Sequence, residues 1–269
     1  MVRILAITNQ KGGVGKTTTA INLATALAAV NERVAVIDLD PQGNASTGLG
    51  VSPEMRERSS YDLLMAKESG VDDNTLVQST VIETKIPNLC IIPSTLDLLG
   101  FEAHVANDQD RAFRLRDAIK NLKMPDGQEF TYVLIDCPPS LNLLTLNALS
   151  ASSAVLVPLQ CEFFALEGLG QLVETINQVK DSLNPQLDVQ GIILTMYDGR
   201  NKLAKQVVED VKEYFGDKVY NTLIPRNVRV SEAPSHGKPV LIYDVNCVGS
   251  QAYIQLATEV IERERALVA

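Results

Sequence analysis

A glycine-rich loop with lysines and threonines constrains this chain more than any other feature of its sequence. Residues 10–18 read Gln-Lys-Gly-Gly-Val-Gly-Lys-Thr-Thr, just after a predicted strand at residues 3–8. A helical pattern follows, with apolar residues at Ala20, Leu23, Ala24 and Leu27. A strand, a glycine loop and a helix in this order form a phosphate-binding loop. The sequence therefore predicts a nucleotide phosphate site at the start of the chain.

Each residue type in the loop has a chemical reason to be there. Glycines allow backbone N–H groups to turn inward around phosphate oxygens, and the helix N-terminus adds a favourable dipole. We expect Lys16 to bridge the β- and γ-phosphates, Thr17 to place its hydroxyl on Mg²⁺, and Thr18 to contact the α-phosphate. We assign ATP binding to the whole loop: Lys11, Gly12, Gly13, Val14, Gly15, Lys16, Thr17 and Thr18.

Short apolar runs alternate with helical patterns along the rest of the chain. The runs rich in valine and isoleucine lie at residues 4–7, 34–37, 89–92, 132–135, 154–159, 189–194 and 240–242, and the helical patterns at 16–30, 110–122, 166–183, 203–215 and 250–265. Such alternation predicts an α/β fold with one doubly wound, mostly parallel sheet flanked by helices. We expect a single domain over residues 1–269, with short helices in the less regular stretch at 48–81.

Carboxylates follow two of the predicted strands. Asp38 and Asp40 end the run at 34–37, and Asp136 ends the run at 132–135. Open α/β sheets bind ligands at the carboxyl ends of their strands, and alternation places Asp38 and Asp40 on one side. We expect Asp136 to hold Mg²⁺ through a water molecule and Asp38 to assist near the metal. Strand-end acids also serve only to cap loops, which is the alternative reading.

Composition excludes several classes of protein. No apolar stretch approaches the roughly 18 residues that span a bilayer, and the chain enters its first strand without a leader, so we expect a cytoplasmic protein. The four cysteines, Cys90, Cys137, Cys161 and Cys247, form no C-x-x-C pair and read as buried, reduced thiols. The net charge of −9 argues against a surface that is basic throughout.

Positive charge is nevertheless concentrated in one segment. Residues 200–242 carry eight basic and five acidic side chains, a net charge of +3, which leaves −12 for the remainder. Such asymmetry indicates a face that tolerates a polyanion, although a solvated helix of mixed charge gives similar counts.

The loop departs from the standard phosphate-binding pattern, because Gln10 stands where a glycine is usual and Lys11 is additional. In this form the sequence resembles the deviant Walker A ATPases of the ParA/MinD group, whose Lys-Gly-Gly-x-Gly-Lys-Thr signature occurs at residues 11–17. The resemblance implies a homodimer in the ATP-bound state, in which Lys11 reaches the partner's ATP. It also implies that Asp40, in the Asp-x-Asp-Pro motif, orients the attacking water.

Three further segments resemble the small, Soj-like ParA proteins: residues 40–46, 138–141 and 224–239. The resemblance implies a nucleoid-associated ATPase for chromosome or plasmid partition, which binds double-stranded DNA without sequence preference and is stimulated by a ParB-like partner. It implies adenine contacts from Pro225 and Asn227. It also implies DNA contacts from Arg200 and Arg229, with Lys202, Lys205 and Lys238 as secondary candidates.

Other functions remain open at this stage. A MinD-like ATPase needs a basic amphipathic tail for the membrane, whereas residues 257–269 contain three acids, two arginines and no aromatic residue. A metabolic ligase of the dethiobiotin synthetase type has no need of the segment at 224–239. A ParA-like protein that positions another cargo agrees with every motif. An amino-terminal operator-binding domain is not expected, since only two residues precede the first strand.

Overall fold

The computed structural model describes residues 2–68, 73–163 and 165–268. Within these residues, seven strands form one sheet in the order β3-β4-β2-β5-β1-β6-β7. The strands are β1 (Arg3–Ile7), β2 (Val34–Asp38), β3 (Ile82–Glu83), β4 (Leu89–Ile92), β5 (Tyr132–Asp136), β6 (Ala154–Gln160) and β7 (Val189–Thr195). All neighbouring pairs are parallel except β3 and β4. This architecture confirms the predicted fold class.

The helices connect the strands and cover both faces of the sheet. They are α1 (Lys16–Ala29), α2 (Asn44–Gly48), α3 (Ser60–Leu64), α4 (Asp73–Ser79), α5 (Phe101–His104), α6 (Arg114–Ala118), α7 (Leu143–Ala151), α8 (Ala165–Ser182), α9 (Lys202–Phe215), α10 (Val228–Glu232), α11 (Val240–Tyr243) and α12 (Val248–Val268). Short 3₁₀ turns lie at 53–55, 66–68, 96–100, 119–121, 216–218 and 233–236. None of the described helices is long and apolar enough to cross a membrane.

The core has two layers because successive strand residues point to opposite faces of the sheet. Leu5 and Ile7 of β1 join the layer under α1 and α12, whereas Ala6 between them joins the layer under α7, α8 and α9. The central strands are therefore buried on both sides, as their uninterrupted apolar runs indicate. This packing leaves the carboxyl edge of the sheet as the place where loops can form a site.

The predicted strand at 240–242 is wrong, because these residues begin helix α11. Pro239, in an extended conformation, precedes the helix, and the Val240 N–H donates to Asn22 Oδ1 of α1 at 2.8 Å. The Tyr243 N–H then donates to the Pro239 carbonyl at 3.0 Å. A run of three apolar residues is too short for periodicity to separate a strand from a helix. Here the helical conformation accompanies the contact between Val240 and α1.

The predicted helix at 110–122 is shorter than expected. Residues 110–113 form a turn in which the Phe113 N–H donates to the Asp110 carbonyl at 2.8 Å, and α6 begins only at Arg114. Asp108 holds this turn by accepting bonds from the Asp110 N–H at 2.9 Å and from Arg114 Nη2 at 2.7 Å. In contrast, the short helices expected within 48–81 are present as α3, α4 and two 3₁₀ turns.

Candidate nucleotide site and basic surface

The glycine loop lies between β1, near the middle of the sheet, and α1. Gly13 and Gly15 have φ angles of 74° and 89°, a left-handed region that glycine adopts at little cost. Val14 between them is buried, and Thr195 Oγ1 at the end of β7 donates to its carbonyl at 2.8 Å. The loop is therefore anchored to a distant strand.

Lys16 begins α1 and is only 7% exposed. Its Nζ donates to the Lys11 carbonyl at 3.0 Å, so the ammonium group lies within the curve of the loop. Burial lowers the pKa of Lys16, while the nearby carboxylates Asp136 and Asp40 act in the opposite direction. A buried cation in a glycine loop that leads into a helix N-terminus is suited to an anionic ligand such as a phosphate.

Asp136, at the end of β5, is fully buried, and neither of its side-chain oxygens accepts a well-formed hydrogen bond. Burial and the charge of Asp38 hold the pKa of Asp136 well above its usual range, although the Thr17 hydroxyl favours the charged form. Buried carboxylate oxygens normally accept hydrogen bonds. The two side-chain oxygens of Asp136 therefore indicate a partner that the protein chain itself does not supply. A hard cation held by Asp136 and Thr17 would provide one.

The donor set fits Mg²⁺. No cluster of three His, Cys, Asp or Glu side chains suited to a metal occurs in the described part of the chain. Mg²⁺ does not require such a cluster, since it keeps several waters and binds through one or two protein oxygens together with substrate phosphates. The structure places the Thr17 hydroxyl beside the Asp136 carboxyl group, and a metal shared by these two residues stays a prediction.

The structure brings Asp38 and Asp40 to the same edge but gives them different surroundings. Asp38 is fully buried, with Oδ2 accepting bonds from the Ser46 N–H at 2.8 Å and the Ser46 hydroxyl at 2.7 Å. Burial raises the pKa of Asp38 to about 6 despite these bonds. Asp40 is half-buried, and its Oδ1 accepts a bond from the Gln42 N–H at 3.0 Å. Asp38 thus holds the start of α2, and its role near the metal stays a prediction.

Lys11 points away from its own loop. Its Nζ forms an ion pair with Glu162 Oε2 at 2.8 Å, and both side chains are about half exposed, at 48% and 47%. Glu162 follows β6, so 151 residues separate the two partners. No motif in the sequence signalled this contact.

The predicted adenine contacts lie in a segment that pairs with the chain just beyond β7. The end of β7 reaches the loop through Thr195, and Tyr197 just beyond it forms an isolated bridge with Pro225. Asn227 caps α10, because its Oδ1 accepts a bond from the Val230 N–H at 3.3 Å. The amide nitrogen of Asn227 is not needed for this cap, so a contact to a base stays a prediction.

The predicted DNA-contacting side chains are exposed. Arg200 pairs with Asp198, and Arg229 pairs with Glu232. The three secondary candidates, Lys202, Lys205 and Lys238, are all exposed.

Sequence reasoning missed Arg226, an exposed arginine whose charge acts on Asp198. Its place in the segment 200–242, where charge is concentrated, was a signal that could have singled it out.

The cysteines largely match their predicted state. Cys90, Cys137 and Cys161 are buried free thiols, and Cys247 is partly exposed. Burial raises the pKa of the Cys90 thiol to about 12 and that of Cys161 to about 11. These two thiols are therefore protonated at neutral pH.

Comparison with known proteins identifies the family. Residues 2–189 match a family model described as an AAA domain. The chain is 59% identical over 264 residues to the chromosome partitioning protein ParA of Caulobacter vibrioides, covering 98% of this chain and 96% of that protein. This chain belongs to the ParA/MinD family of P-loop ATPases. It is also 49% identical to the sporulation initiation inhibitor protein Soj of Bacillus subtilis, with 97% and 98% of the two chains covered.

Solved structures of ParA/MinD-like proteins share the fold. A structure of cobyrinic acid a,c-diamide synthase from Mycobacterium smegmatis, with bound ADP and magnesium, matches with a TM-score of 0.82 and 34% identity over 98% of this chain and 96% of that one. The cell division ATPase MinD of Pyrococcus furiosus matches with a TM-score of 0.76 and 27% identity, covering 97% and 99%. The family assignment therefore agrees in sequence and in structure.

Proposed function

We propose that this protein is a ParA-type switch that binds ATP and Mg²⁺, dimerises around the nucleotide and serves chromosome or plasmid partition. The observation that carries the nucleotide chemistry is the buried Asp136 carboxylate with two unsatisfied oxygens, placed with Lys16 and Thr17 at the glycine loop. The partition role is supported by the 59% identity to a chromosome partitioning protein over nearly the whole chain.

Each residue of the site has a part in this proposal. The loop N–H groups and Lys16 would bind the phosphates, and Thr17 and Asp136 would hold Mg²⁺ with help from Asp38. The metal neutralises phosphate charge when bound. Asp40 is half-buried near Lys16 and orients the water that attacks the γ-phosphate. Phosphoryl transfer is catalysed almost entirely by positioning and by charge stabilisation, and these residues can supply both.

Lys11 is the residue that couples nucleotide to dimerisation. Because its ammonium group points out of the loop toward Glu162, it is not committed to phosphates of its own subunit. We infer that it leaves Glu162 and contacts ATP in a second subunit, adding a positive charge to the transition state in the manner of an arginine finger. The dimer therefore forms only when ATP is present.

The basic surface is proposed to bind double-stranded DNA without sequence preference. Exposed Arg and Lys side chains favour phosphate contacts, which position a protein on DNA but carry no sequence information. In the proposed cycle, the protein associates with the nucleoid, and a ParB-like partner stimulates ATP hydrolysis. Proteins of the cobyrinic acid a,c-diamide synthase type bind the same nucleotide on the same fold, but the 34% identity is well below that to ParA.

Binding to random-sequence duplex DNA with ATP, with ADP and without nucleotide tests this proposal. The Asp40→Ala variant suppresses turnover, Lys16→Ala removes nucleotide binding, and Arg229→Ala removes a predicted DNA contact. We expect DNA binding by Asp40→Ala only with ATP, with log affinity falling by about 0.9 per contact per log unit of salt. Absence of DNA binding by an intact ATP-dependent dimer would refute the DNA part, and wild-type turnover by Asp40→Ala would refute the role of Asp40.

A further inference from the structure

Two segments that are distant in sequence pair with each other just beyond the end of β7, and each of them carries arginines. The Tyr197 N–H donates to the Ile224 carbonyl at 3.0 Å, and the Arg226 N–H donates to the Tyr197 carbonyl at 3.0 Å. Arg200 lies three residues after Tyr197, and Arg229 lies three residues after Arg226. We call Arg200, Arg226 and Arg229 the arginine surface.

Arg200 is paired although it is 91% exposed. Its Nε contacts Asp198 Oδ1 at 2.9 Å, and its Nη2 contacts Asp198 Oδ2 at 2.8 Å. Two parallel bonds of this kind are how a guanidinium group binds either a carboxylate or a phosphate. The Arg200 N–H also donates to Asp198 Oδ1 at 3.0 Å, which holds the carboxylate in place. Hydrogen bonds from Arg200 lower the pKa of Asp198 to about 2, so the acid is ionised near neutral pH.

Arg229 is also paired, but its contacts are divided between two acids. Its Nη1 lies 3.0 Å from Glu232 Oε2, and its Nε lies 3.6 Å from Asp244 Oδ2. Glu232 Oε2 also accepts a longer bond from the Tyr243 hydroxyl at 3.5 Å, and the Tyr243 ring stacks on His236 with centroids 5.0 Å apart. The acid is thus supported from a second element, α11, rather than left on a free side chain.

The pairing acids reduce the positive charge that the surface presents. Residues 200–242 have a net charge of +3, but Asp198 and Asp244 lie just outside that segment, and adding them lowers the charge of residues 198–244 to +1. Each carboxylate occupies the guanidinium positions that a phosphate would use. A phosphate group must therefore displace a carboxylate before it can bind the arginine.

We propose that Asp198 and Glu232 are internal competitors of phosphate that set the threshold for DNA binding on the arginine surface. This inference rests on the DNA binding proposed above. Displacing the acids offsets part of the gain from each phosphate contact, so one subunit binds weakly. A dimer doubles the number of contacts on one DNA molecule and overcomes the threshold, because linked contacts raise the effective concentration of each. The acids therefore help to restrict DNA binding to the ATP-bound dimer.

Charge-neutral variants at the two acids test the proposal. Asp198→Asn retains an oxygen for the Arg200 N–H, and Glu232→Gln retains one for the Tyr243 hydroxyl. Both are made in the Asp40→Ala protein, and affinity for random-sequence duplex DNA is measured with ATP by fluorescence anisotropy. Glu209→Gln on α9 is the matched control, since it removes one exposed negative charge from the same segment.

We expect each variant to bind DNA about two- to fivefold more tightly than the control, the range set by exposed ion pairs. The gain from Asp198→Asn should disappear when Arg200→Ala is also present, since the acid then has no arginine to occupy. If the variants bind no more tightly than Glu209→Gln, or if the gain survives Arg200→Ala, the competition is refuted while DNA binding stands. If neither the parent nor any variant binds DNA, both the competition and the proposed DNA binding are wrong.

Discussion

Replacing Asp136 with asparagine should stabilise the nucleotide-free protein while removing its response to Mg²⁺. The carboxylate is fully buried at the end of β5 and accepts no well-formed hydrogen bond. Burial and the neighbouring charge of Asp38 both act against its ionised form. Asparagine has nearly the same shape, carries no charge and replaces repulsion toward Asp38 by attraction.

The size of the effect follows from the cost of an unsatisfied buried group. Such a group costs about 1–3 kcal/mol, and more when charged. We therefore expect the free energy of unfolding to rise by about 1–3 kcal/mol. For a chain of this length the midpoint of thermal unfolding should rise by about 2–6 °C, at roughly 2 °C per kcal/mol. Such a result would mean that Asp136 lowers the stability of the protein in return for its function.

The same substitution should have the opposite effect with ligand present. Mg²⁺-ATP at one hundred times its Kd stabilises a protein by about 2.7 kcal/mol. Loss of a metal-holding group weakens binding by up to about 100-fold, which would reduce that gain to about 0.4 kcal/mol. Thermal unfolding without ligand, with ATP and EDTA, and with ATP and Mg²⁺ separates the two effects.

Asp108→Asn is the matched control. Asp108 pairs with Arg114 at 2.7 Å, and the Arg114 side chain is only 6% exposed. Removing the charge of Asp108 should lower the unfolding midpoint, because a buried arginine loses a carboxylate partner, and should leave the gain from Mg²⁺-ATP unchanged. An Asp136→Asn protein that unfolds at or below the wild-type midpoint without ligand would refute the reasoning about the unsatisfied carboxylate.

Two further predictions follow from contacts in the structure. Glu162→Gln removes the charge that holds Lys11, so ATP-dependent dimerisation should tighten about two- to fivefold in sedimentation experiments; an unchanged or weaker dimer contradicts the release of Lys11. Gly191→Ala would place a Cβ atom 2.2 Å from the ring of buried Tyr220 and should cost about 1–3 kcal/mol in denaturant unfolding. Gly168→Ala, whose new Cβ meets open space on α8, should instead stabilise by up to about 1 kcal/mol.

Much of the fold followed from local patterns. Six of the seven predicted strands are present, because an apolar run bounded by loops is buried on both faces of a parallel sheet. The failure at 240–242 came from a run too short to show a period, where the bond from Val240 to Asn22 fixed a helix. The antiparallel strand β3 had no signal of its own, since it is two residues long.

The nucleotide loop was readable because its chemistry is local. Backbone N–H groups, a lysine and hydroxyls must be adjacent in the chain to surround one phosphate group, so residues 11–18 carry their function in their order. Asp136 was readable for a related reason, as an acid that ends a buried strand at the ligand-binding edge.

Tertiary structure alone decided which distant groups meet. Glu162 reaches Lys11 across 151 residues, and Arg226 lies beside Asp198 only because β7 ends next to the chain before α10. The tertiary structure also gives Asp38 a hydrogen bond from Ser46 but gives the Asp136 oxygens none, although both acids end apolar strands. The physical reason is that sequence patterns report which face of an element is buried, whereas ion pairs and unsatisfied groups depend on which elements the sheet order places side by side.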